Sequence, residues 1–230
     1  MVKIDWMYVD KWSKKIRAIN YLGGSCKNCG DNNIFHLCFH HVTDNKEFNI
    51  NNIKTNRWSD IFNEIRKCDI LCNNCHQEIH YVEDSVGIKW RNNKKLFLDY
   101  KSSECEICGY NKNQGSLVFH HINPEEKLFS ISRNKIRYIN ELNDYIIIEL
   151  DKCKVLCHNC HSEEHINISK FNRLKEEIYK KVNNYKEIQS KLDRDVVYDM
   201  YDSGIKQIEI AKYFNASKGT ISGIIKNRKK

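Results

Sequence analysis

The sequence predicts an α+β protein in which two tandem copies of one small unit precede a small all-α module at the C-terminus. The main observation is a repeated pattern of cysteine and histidine. The first Cys-x-x-Cys motif begins at Cys26 and recurs at Cys105, 79 positions later (105 − 26), and the second begins at Cys72 and recurs at Cys157, 85 positions later (157 − 72). The other observation is a helical spacing of apolar residues through residues 205–226.

Almost all histidines and cysteines take part in the duplication. Eight of the ten histidines and ten of the eleven cysteines occupy positions that recur in the second copy, and chance placement of two rare residue types does not produce such agreement. The first copy contains Cys26, Cys29, His40, His41, Cys72, Cys75, His76 and His80, and the second contains Cys105, Cys108, His120, His121, Cys157, Cys160, His161 and His165.

Each repeat is predicted to contain a short first helix, a strand, a second helix and a third helix, in that order. A Lys-Trp pair ahead of a tyrosine opens both copies and indicates the first helix. Residues 34–42 and 116–122 are rich in apolar and β-branched residues, which favours a strand carrying the histidine pair. Second helices are expected at 58–66 and 139–150. The second Cys-x-x-Cys then introduces a helix with His-x-x-x-His, whose spacing places both imidazoles on one face.

Length and repeat pattern favour several small domains over one large domain. The chain has 230 residues, of which 40% are hydrophobic and 30% are charged. We expect the two repeats at 1–82 and 83–168, a helical linker at 169–190 and a small helical module at 191–230. Because a repeat of about 80 residues has a thin apolar core, we expect a metal site to stabilise it.

The cysteine usage argues against a secreted disulfide scaffold. The number of cysteines is odd, at eleven, their spacing is paired, and charged sequence follows Met1 where a signal peptide would lie. No apolar run approaches the ~18 residues of a membrane span, so no membrane partner is expected. We therefore expect an intracellular protein of the cytoplasm or nucleoid, with phage or virus encoding as one option. Its net charge of +8 favours a polyanionic partner.

Four cysteines in two Cys-x-x-Cys motifs are typical ligands of a closed, tetrahedral zinc ion. Such an ion stabilises the fold and leaves no position for a substrate. We assign one structural zinc to each repeat. The ligands are Cys26, Cys29, Cys72 and Cys75 in the first repeat and Cys105, Cys108, Cys157 and Cys160 in the second. The histidines then need another role, since a neutral imidazole is a metal ligand or a general base.

With these motifs the sequence resembles the HNH, or ββα-metal, endonucleases, in particular the zinc-stapled homing and restriction enzymes. The resemblance extends from Cys26 to His80 and from Cys105 to His165. It implies two ββα-metal units that hydrolyse DNA phosphodiester bonds with Mg²⁺ or Mn²⁺ as the catalytic metal. It also implies that His41 and His121 act as general bases. The implied ligands of the catalytic metal or the scissile phosphate are His40, His76, His80, His120, His161 and His165.

One departure from the family concerns the asparagine in its name. The position that this asparagine usually occupies is held here by Lys67 and Lys152. The nearest duplicated asparagines, Asn74 and Asn159, lie inside the second Cys-x-x-Cys motifs, where they are polar turn residues or, alternatively, catalytic residues. The sequence therefore leaves the orientation of the base histidines unexplained.

Five further cysteines and histidines are assigned structural roles. Cys38 is expected to be a small buried residue of its strand. The duplicated Cys68 and Cys153 are expected to be structural, with replacement of a zinc ligand as the alternative. His36 and His158 are not duplicated and are taken as ordinary loop or strand residues.

The C-terminal module resembles the helix-turn-helix of resolvases and of the DNA-binding tails of HNH homing endonucleases. Apolar residues at helical spacing lie on both sides of a turn at 215–216, and Ser217 can cap the second helix. The alternative is a helical hairpin that contacts protein. The upstream linker has one apolar stripe and either packs on the second repeat or acts as a spacer. Expected base contacts are Lys218, Thr220 and Ser222, and expected phosphate contacts are Lys226 and Arg228.

Together these features predict a sequence-directed, metal-dependent endonuclease acting on double-stranded DNA. Each repeat would cleave one strand, so that a single chain could act as a monomer. One alternative is a nicking enzyme in which only one repeat is active. The other is a zinc-containing DNA-binding regulator without catalysis, which leaves the repeated histidines without a role.

Overall fold

A computed structural model of the protein describes residues 4–50, 58–83, 88–131, 141–190, 194–214 and 216–228. Within these residues the fold is α+β, as the sequence predicts, with ten α-helices and two two-stranded sheets. The first part of the chain contains α1 (Trp6–Tyr21), β1 (Leu37–His41), α2 (Trp58–Ile65), β2 (Cys68–Cys72) and α3 (Asn73–Glu83). The second part contains α4 (Ile88–Tyr100), β3 (Leu117–His121), α5 (Asp144–Asp151), β4 (Cys153–Cys157) and α6 (His158–Glu164). The last part is helical, with α7 (Ile168–Ser190), α8 (Arg194–Asp202), α9 (Gln207–Tyr213) and α10 (Lys218–Lys226).

The same order of elements occurs in both repeats. Each repeat has a first helix, a strand that carries the histidine pair, a second helix, a second strand and a helix after the second Cys-x-x-Cys. The helices and the histidine strand are those that the sequence predicts, whereas the second strands, β2 and β4, were not predicted from the residue pattern. The predicted helix at 139–150 is observed as α5, which begins at Asp144; residues 141–143 are not helical, and residues 139 and 140 lie outside the described part of the chain. The predicted turn at 215–216 is described only at Ala216.

The chain forms two compact units, and their boundaries do not follow the repeats. The first, here called the helical unit, comprises Met1–Gly24, Phe39–Ile70 and Ile168–Lys230. The second, here called the cysteine unit, comprises Ser25–Cys38 and Leu71–Asn167. The second repeat from α4 onward lies within the cysteine unit, whereas the first repeat contributes residues to both.

In the helical unit, α7 packs against α1. The apolar stripe of α7 is buried at Phe171, and the Phe171 ring meets the Trp12 ring edge-on at 4.9 Å between centroids. Lys170 Nζ lies 2.7 Å from the Asp5 carboxylate, so a salt bridge joins the two helices at this end. The stripe therefore packs on the first helix of the chain, which differs from both roles expected for the linker. Its other buried members are Leu174, Ile178 and Val182.

The C-terminal helices α8, α9 and α10 share a hydrophobic core with α1 and α2. Phe62 of α2, Met200 of α8 and Ile221 of α10 are buried in this one cluster. Arg17 of α1 donates a hydrogen bond of 2.7 Å to the Tyr213 hydroxyl of α9. These helices are thus packed against the first repeat, where the sequence suggested a module of its own.

In the cysteine unit, β3 and β4 pair as an antiparallel ladder. Leu117 lies opposite Cys157, and His121 lies opposite Cys153. The face of this sheet is covered by buried apolar residues from α4 and α5, including Leu98 and Leu150. The ladder brings the end of the histidine strand beside the start of β4 and sends the chain directly into α6.

Among the described helices, none combines the length and the apolar character that crossing a lipid bilayer requires.

Candidate metal centres and histidine sites

The cysteines of the two Cys-x-x-Cys pairs converge in each repeat. In each cluster the four sulfur atoms lie within 4.8 Å of one another. The Sγ atoms of Cys29 and Cys72 are 3.7 Å apart, and those of Cys108 and Cys157 are also 3.7 Å apart. A disulfide bond would bring two sulfurs to about 2.05 Å, whereas two sulfurs on one tetrahedral zinc lie about 3.8 Å apart. The clusters are Cys26, Cys29, Cys72 and Cys75, and Cys105, Cys108, Cys157 and Cys160, as predicted.

Backbone amides stabilise the thiolate form of these cysteines. The N–H group of Cys160 donates to Cys157 Sγ at 3.4 Å, and the N–H group of Cys75 donates to Cys72 Sγ at the same distance. Burial raises the pKa of Cys105, but hydrogen bonds from surrounding backbone N–H groups outweigh it and lower the pKa to about 7. Burial and the neighbouring cysteines raise the pKa of Cys160, so its proton has to leave when a metal binds. Four thiolates then fit the tetrahedral geometry of a structural zinc and leave no open coordination position.

Three histidines of the second repeat form a separate cluster. His120 on β3, His161 on α6 and His165 at the end of α6 place one ring nitrogen each within 4.8 Å of the others. The Nε2 atoms of His161 and His165 are 3.1 Å apart. Two nitrogens bound to one metal at about 2.1 Å lie about 3.0–3.4 Å apart, so the spacing suits a shared metal ion. Without a metal, the same contact is a hydrogen bond between imidazoles.

His161 and His120 favour the neutral form that metal binding requires. Burial, together with the neighbouring His165 and His120, lowers the pKa of His161 to about 4. The pKa of His120 is also lowered, first by burial and then by His165. Three neutral imidazoles on one side of an ion leave further coordination positions open, in contrast to the four-thiolate clusters.

In the first repeat the equivalent histidines are divided between the two units. His76 and His80 lie on α3 in the cysteine unit, and their Nε2 atoms are 3.2 Å apart, as in the second repeat. His40 lies on β1 in the helical unit. The His-x-x-x-His geometry is thus the same in both repeats, with ring centroids 4.6 Å apart in the first and 4.5 Å apart in the second.

The second histidine of each pair takes a different partner, a buried glutamate. His121 Nε2 lies 2.8 Å from Glu149 Oε1, and His41 Nε2 lies 2.7 Å from Glu64 Oε1. Because an ionised carboxylate only accepts hydrogen bonds, Nε2 carries the proton in both histidines and Nδ1 carries the lone pair. The glutamate side chains are 0% exposed, and those of the two histidines are 7% and 13% exposed.

A lysine holds the other oxygen of each glutamate. Lys152 Nζ lies 2.8 Å from Glu149 Oε2, and Lys67 Nζ lies 2.9 Å from Glu64 Oε2. Burial raises the pKa of Glu149, but hydrogen bonds from Lys152, the backbone of Phe129, His121 and the backbone of Leu128 lower it to about 2. The pKa of Glu64 is also lowered, because the hydrogen bonds from Lys67 and His41 outweigh its burial.

The histidine, glutamate and lysine groups show how His41 and His121 are oriented, which the sequence left unexplained. Lys67 and Lys152 occupy the positions where the family was expected to have asparagine, and Glu64 and Glu149 were not singled out at all. The sequence did contain a signal for these residues. Glu64 and Glu149, and likewise Lys67 and Lys152, are separated by the 85 positions that also separate the second Cys-x-x-Cys motifs (149 − 64 and 152 − 67). The duplicated cysteines, Cys68 and Cys153, lie beside these glutamates and donate to the backbone carbonyls of Glu64 and Glu149 at 3.5 and 3.4 Å.

The remaining cysteine and histidine assignments hold in part. Cys68 and Cys153 are buried and lie outside the two sulfur clusters, as the structural assignment requires, whereas Cys38 is only half-buried. His36 lies in a loop, and its Nδ1 donates a hydrogen bond to the Asp31 carboxylate at 2.7 Å. His158 is the first residue of α6, and burial lowers its pKa to about 4. Both histidines are therefore more constrained than ordinary surface residues.

The residues predicted to contact DNA lie on α10 and just after it. Ser217 caps α10, since its hydroxyl oxygen accepts a 3.0 Å hydrogen bond from the N–H group of Thr220. Lys218, Thr220 and Lys226 are exposed, and Ser222 is half-buried. The Arg228 guanidinium donates a hydrogen bond to the Asp202 carboxylate at 2.7 Å and lies 4.7 Å from the centre of the Tyr198 ring.

No family model, no curated protein and no solved structure matches this chain. The geometry of the sites therefore carries the functional argument.

Proposed function

We propose that the protein is a metal-dependent DNA endonuclease of the HNH type, with one active site in each repeat. The observation that carries the proposal is the convergence of His120, His161 and His165 within 4.8 Å, apart from the sulfur cluster of the same repeat. A closed sulfur site stabilises the fold, and an open nitrogen site on the same two-stranded sheet and the same helix can bind a metal and a substrate oxygen. A zinc-stapled regulator would need the first site but has no use for the second.

The three histidines would hold the catalytic metal, which we assign as Mg²⁺ or Mn²⁺. When bound, the ion supplies positive charge that stabilises the phosphate and the departing oxygen during hydrolysis. Imidazole nitrogens suit Mn²⁺ better than Mg²⁺, which prefers oxygen ligands that DNA and water can provide. The first repeat has the same histidines in the same order, and from the duplication we assign the equivalent role to His40, His76 and His80.

His121, next to the ligand His120, would act as the general base. Its Nε2 proton is held by Glu149 at 2.8 Å, so that Nδ1 is the atom that can accept a proton from water. The carboxylate fixes the tautomer and the ring orientation and stabilises the imidazolium that forms, in the manner of the acid residue of a catalytic triad. Lys152 keeps the glutamate ionised. His41, Glu64 and Lys67 repeat this arrangement with nearly the same distances.

The C-terminal helices would select the DNA sequence. The exposed N-terminal turn of α10 presents Lys218 and Thr220, and Lys226 is exposed at its other end. A helix with short polar and basic side chains at its exposed N-terminus suits the major groove of a duplex. Arg228 would have to leave Asp202 to contact a phosphate, so we expect it to contribute less than Lys226.

The test is cleavage of a pool of negatively supercoiled plasmids that carry randomised inserts, with Mg²⁺ or Mn²⁺. Wild-type protein is expected to give linear plasmid, because each repeat cuts one strand. His121→Ala and His41→Ala are each expected to give open-circular plasmid, and the double variant is expected to leave the plasmid intact. Open circles from the wild-type protein would favour a nicking enzyme. An uncut pool that is nevertheless bound would favour the regulator and overturn the proposal.

A further inference from the structure

The second Cys-x-x-Cys motifs of the two repeats contact each other through their duplicated asparagines. The N–H group of Asn74 donates to Asn159 Oδ1 at 3.1 Å, and the N–H group of Asn159 donates to Asn74 Oδ1 at 3.1 Å. Both residues belong to the cysteine unit, and they are equivalent in the duplication (159 − 74 = 85). A residue that contacts its own copy reciprocally lies on a two-fold axis, here an approximate axis within one chain.

Contacts on either side of this axis join the same two regions of each repeat, although through different residues. Glu78 on α3 of the first repeat accepts a hydrogen bond from the Tyr110 hydroxyl in the second repeat. Its equivalent on α6, Glu163, accepts from Asn33 Nδ2 at 2.8 Å and contacts His36 Nε2 at 3.1 Å, both in the first repeat. The helix that carries the histidines in each repeat is thus bound by the first Cys-x-x-Cys loop region of the other repeat.

Hydrogen bonds from serine hydroxyls to backbone carbonyl groups also join the two repeats. Ser116 Oγ of the second repeat donates to the Asn74 carbonyl at 2.9 Å, and Ser162 Oγ donates to the Phe35 carbonyl of the first repeat at 3.1 Å. The approach is close at Gly115, where a Cβ atom would lie 2.5 Å from the Tyr81 side chain. The contact therefore requires glycine at this position.

The anchoring glutamates lie inside the His-x-x-x-His motifs. Glu163 is two residues from both His161 and His165, and Glu78 is two residues from both His76 and His80. Because α6 is only seven residues long, its orientation depends on contacts from outside the helix. Groups that are hydrogen-bonded directly to metal ligands change metal affinity by about 10- to 100-fold when they are removed, and these glutamates act one step further away, through the helix that carries the ligands.

We propose that the two repeats form an internal dimer in which each repeat positions the histidine helix of the other. Asn33 and Glu163 are then positioning residues for the histidine cluster of the second repeat, although Asn33 belongs to the first. Resting on the proposed function, two active sites in one chain would cleave the two antiparallel strands of one duplex, so that a second copy of the chain is not needed.

The experiment measures Mn²⁺ binding by the full-length, zinc-loaded chain without DNA. His76→Ala removes one of the three candidate ligands of the first repeat and so weakens that site, so that the titration reports the second repeat. In this background Asn33→Ala and Glu163→Ala are expected to weaken Mn²⁺ binding by roughly tenfold or more. Glu163→Gln keeps an acceptor for Asn33 and is expected to bind Mn²⁺ nearly as well as Glu163. The matched control is Asn32→Ala, since Asn32 is an exposed neighbour.

A second measurement reports the docking directly. Hydrogen exchange of α6 is expected to become faster in Asn33→Ala than in Asn32→Ala, although the change is made in the other repeat. The proposal is overturned if Asn33→Ala leaves both the Mn²⁺ affinity within twofold and the exchange of α6 unchanged. If Asn33→Ala changes both the Mn²⁺ affinity and the exchange of α6, but the wild-type protein cuts no plasmid, the internal dimer is supported and the endonuclease assignment fails. If Mn²⁺ does not bind even with all histidines present, the endonuclease assignment again fails, and the exchange of α6 alone decides the docking.

Discussion

Replacing Glu149 by glutamine tests the buried group that orients His121. The carboxylate is 0% exposed and accepts hydrogen bonds from His121, Lys152 and the N–H group of Leu128, at 2.8, 2.8 and 2.9 Å. Glutamine has nearly the same shape but carries no charge. Its NH₂ group would face either the ammonium of Lys152 or the N–H groups on the other side, and two donors cannot bond to each other.

The expected loss of stability is about 3 kcal/mol. Hydrogen bonds to a charged group contribute about 1.5–3 kcal/mol each, and breaking a buried ion pair costs about 3–5 kcal/mol. Lys152 is 21% exposed in its side chain and can turn towards water, which places the expected value at the lower end of that range. With a urea m-value of about 2 kcal/mol per molar, the unfolding midpoint should fall by about 1.5 M.

The assay is urea unfolding of the zinc-loaded protein at pH 7, followed by circular dichroism. Glu64→Gln is the matched variant in the first repeat and should lower the stability of the helical unit by a similar amount. Glu125→Gln is the control, because Glu125 is exposed. A change of less than about 1 kcal/mol for Glu149→Gln, with Glu125→Gln unchanged, would refute the view that this carboxylate is a strongly paired buried anion.

The remaining predictions concern stability in acid, zinc content and the N-cap of α10. Because the folded pKa of Glu149 is lowered from 4.5 to about 2, its stabilisation is present above pH 4.5 and is lost as the pH falls towards 2. The free energies of unfolding of the wild type and Glu149→Gln, measured across this pH range, should therefore converge. Cys157→Ser should halve the zinc content measured by atomic absorption, from two ions per chain to one, whereas Cys153→Ala should leave two; equal contents would contradict the ligand assignment. Ser217→Ala should cost about 1 kcal/mol in thermal unfolding of the helical unit, and Ser222→Ala much less.

The sulfur clusters and the histidine strands and helices could be predicted because their signals are local. Each Cys-x-x-Cys pair spans four residues, and each His-x-x-x-His spans little more than one helical turn. Duplication then showed which of these residues belong together. The α+β arrangement of each repeat could also be predicted, because it does not depend on how segments distant along the chain pack.

The glutamates and the packing of the units could not be predicted in this way. Glu149 lies 28 residues from His121, and a buried carboxylate in an apolar helix gives no sign in the sequence of which side chain it will meet. Lys170 and Asp5 are 165 positions apart, and nothing local indicated that α7 would pack on α1. The domain boundaries predicted from the sequence followed the repeats, whereas the observed compact units are set by contacts between segments distant along the chain.

Anomalous diffraction from crystals of the zinc-loaded protein soaked in Mn²⁺ tests the central claim most directly. We expect zinc at both sulfur clusters and manganese among His120, His161 and His165, with His121 bound to Glu149 and not to the metal. Zinc at the sulfur clusters with no metal among these histidines, or histidine nitrogens completing the zinc coordination, would contradict the two kinds of site on which the proposed hydrolysis rests.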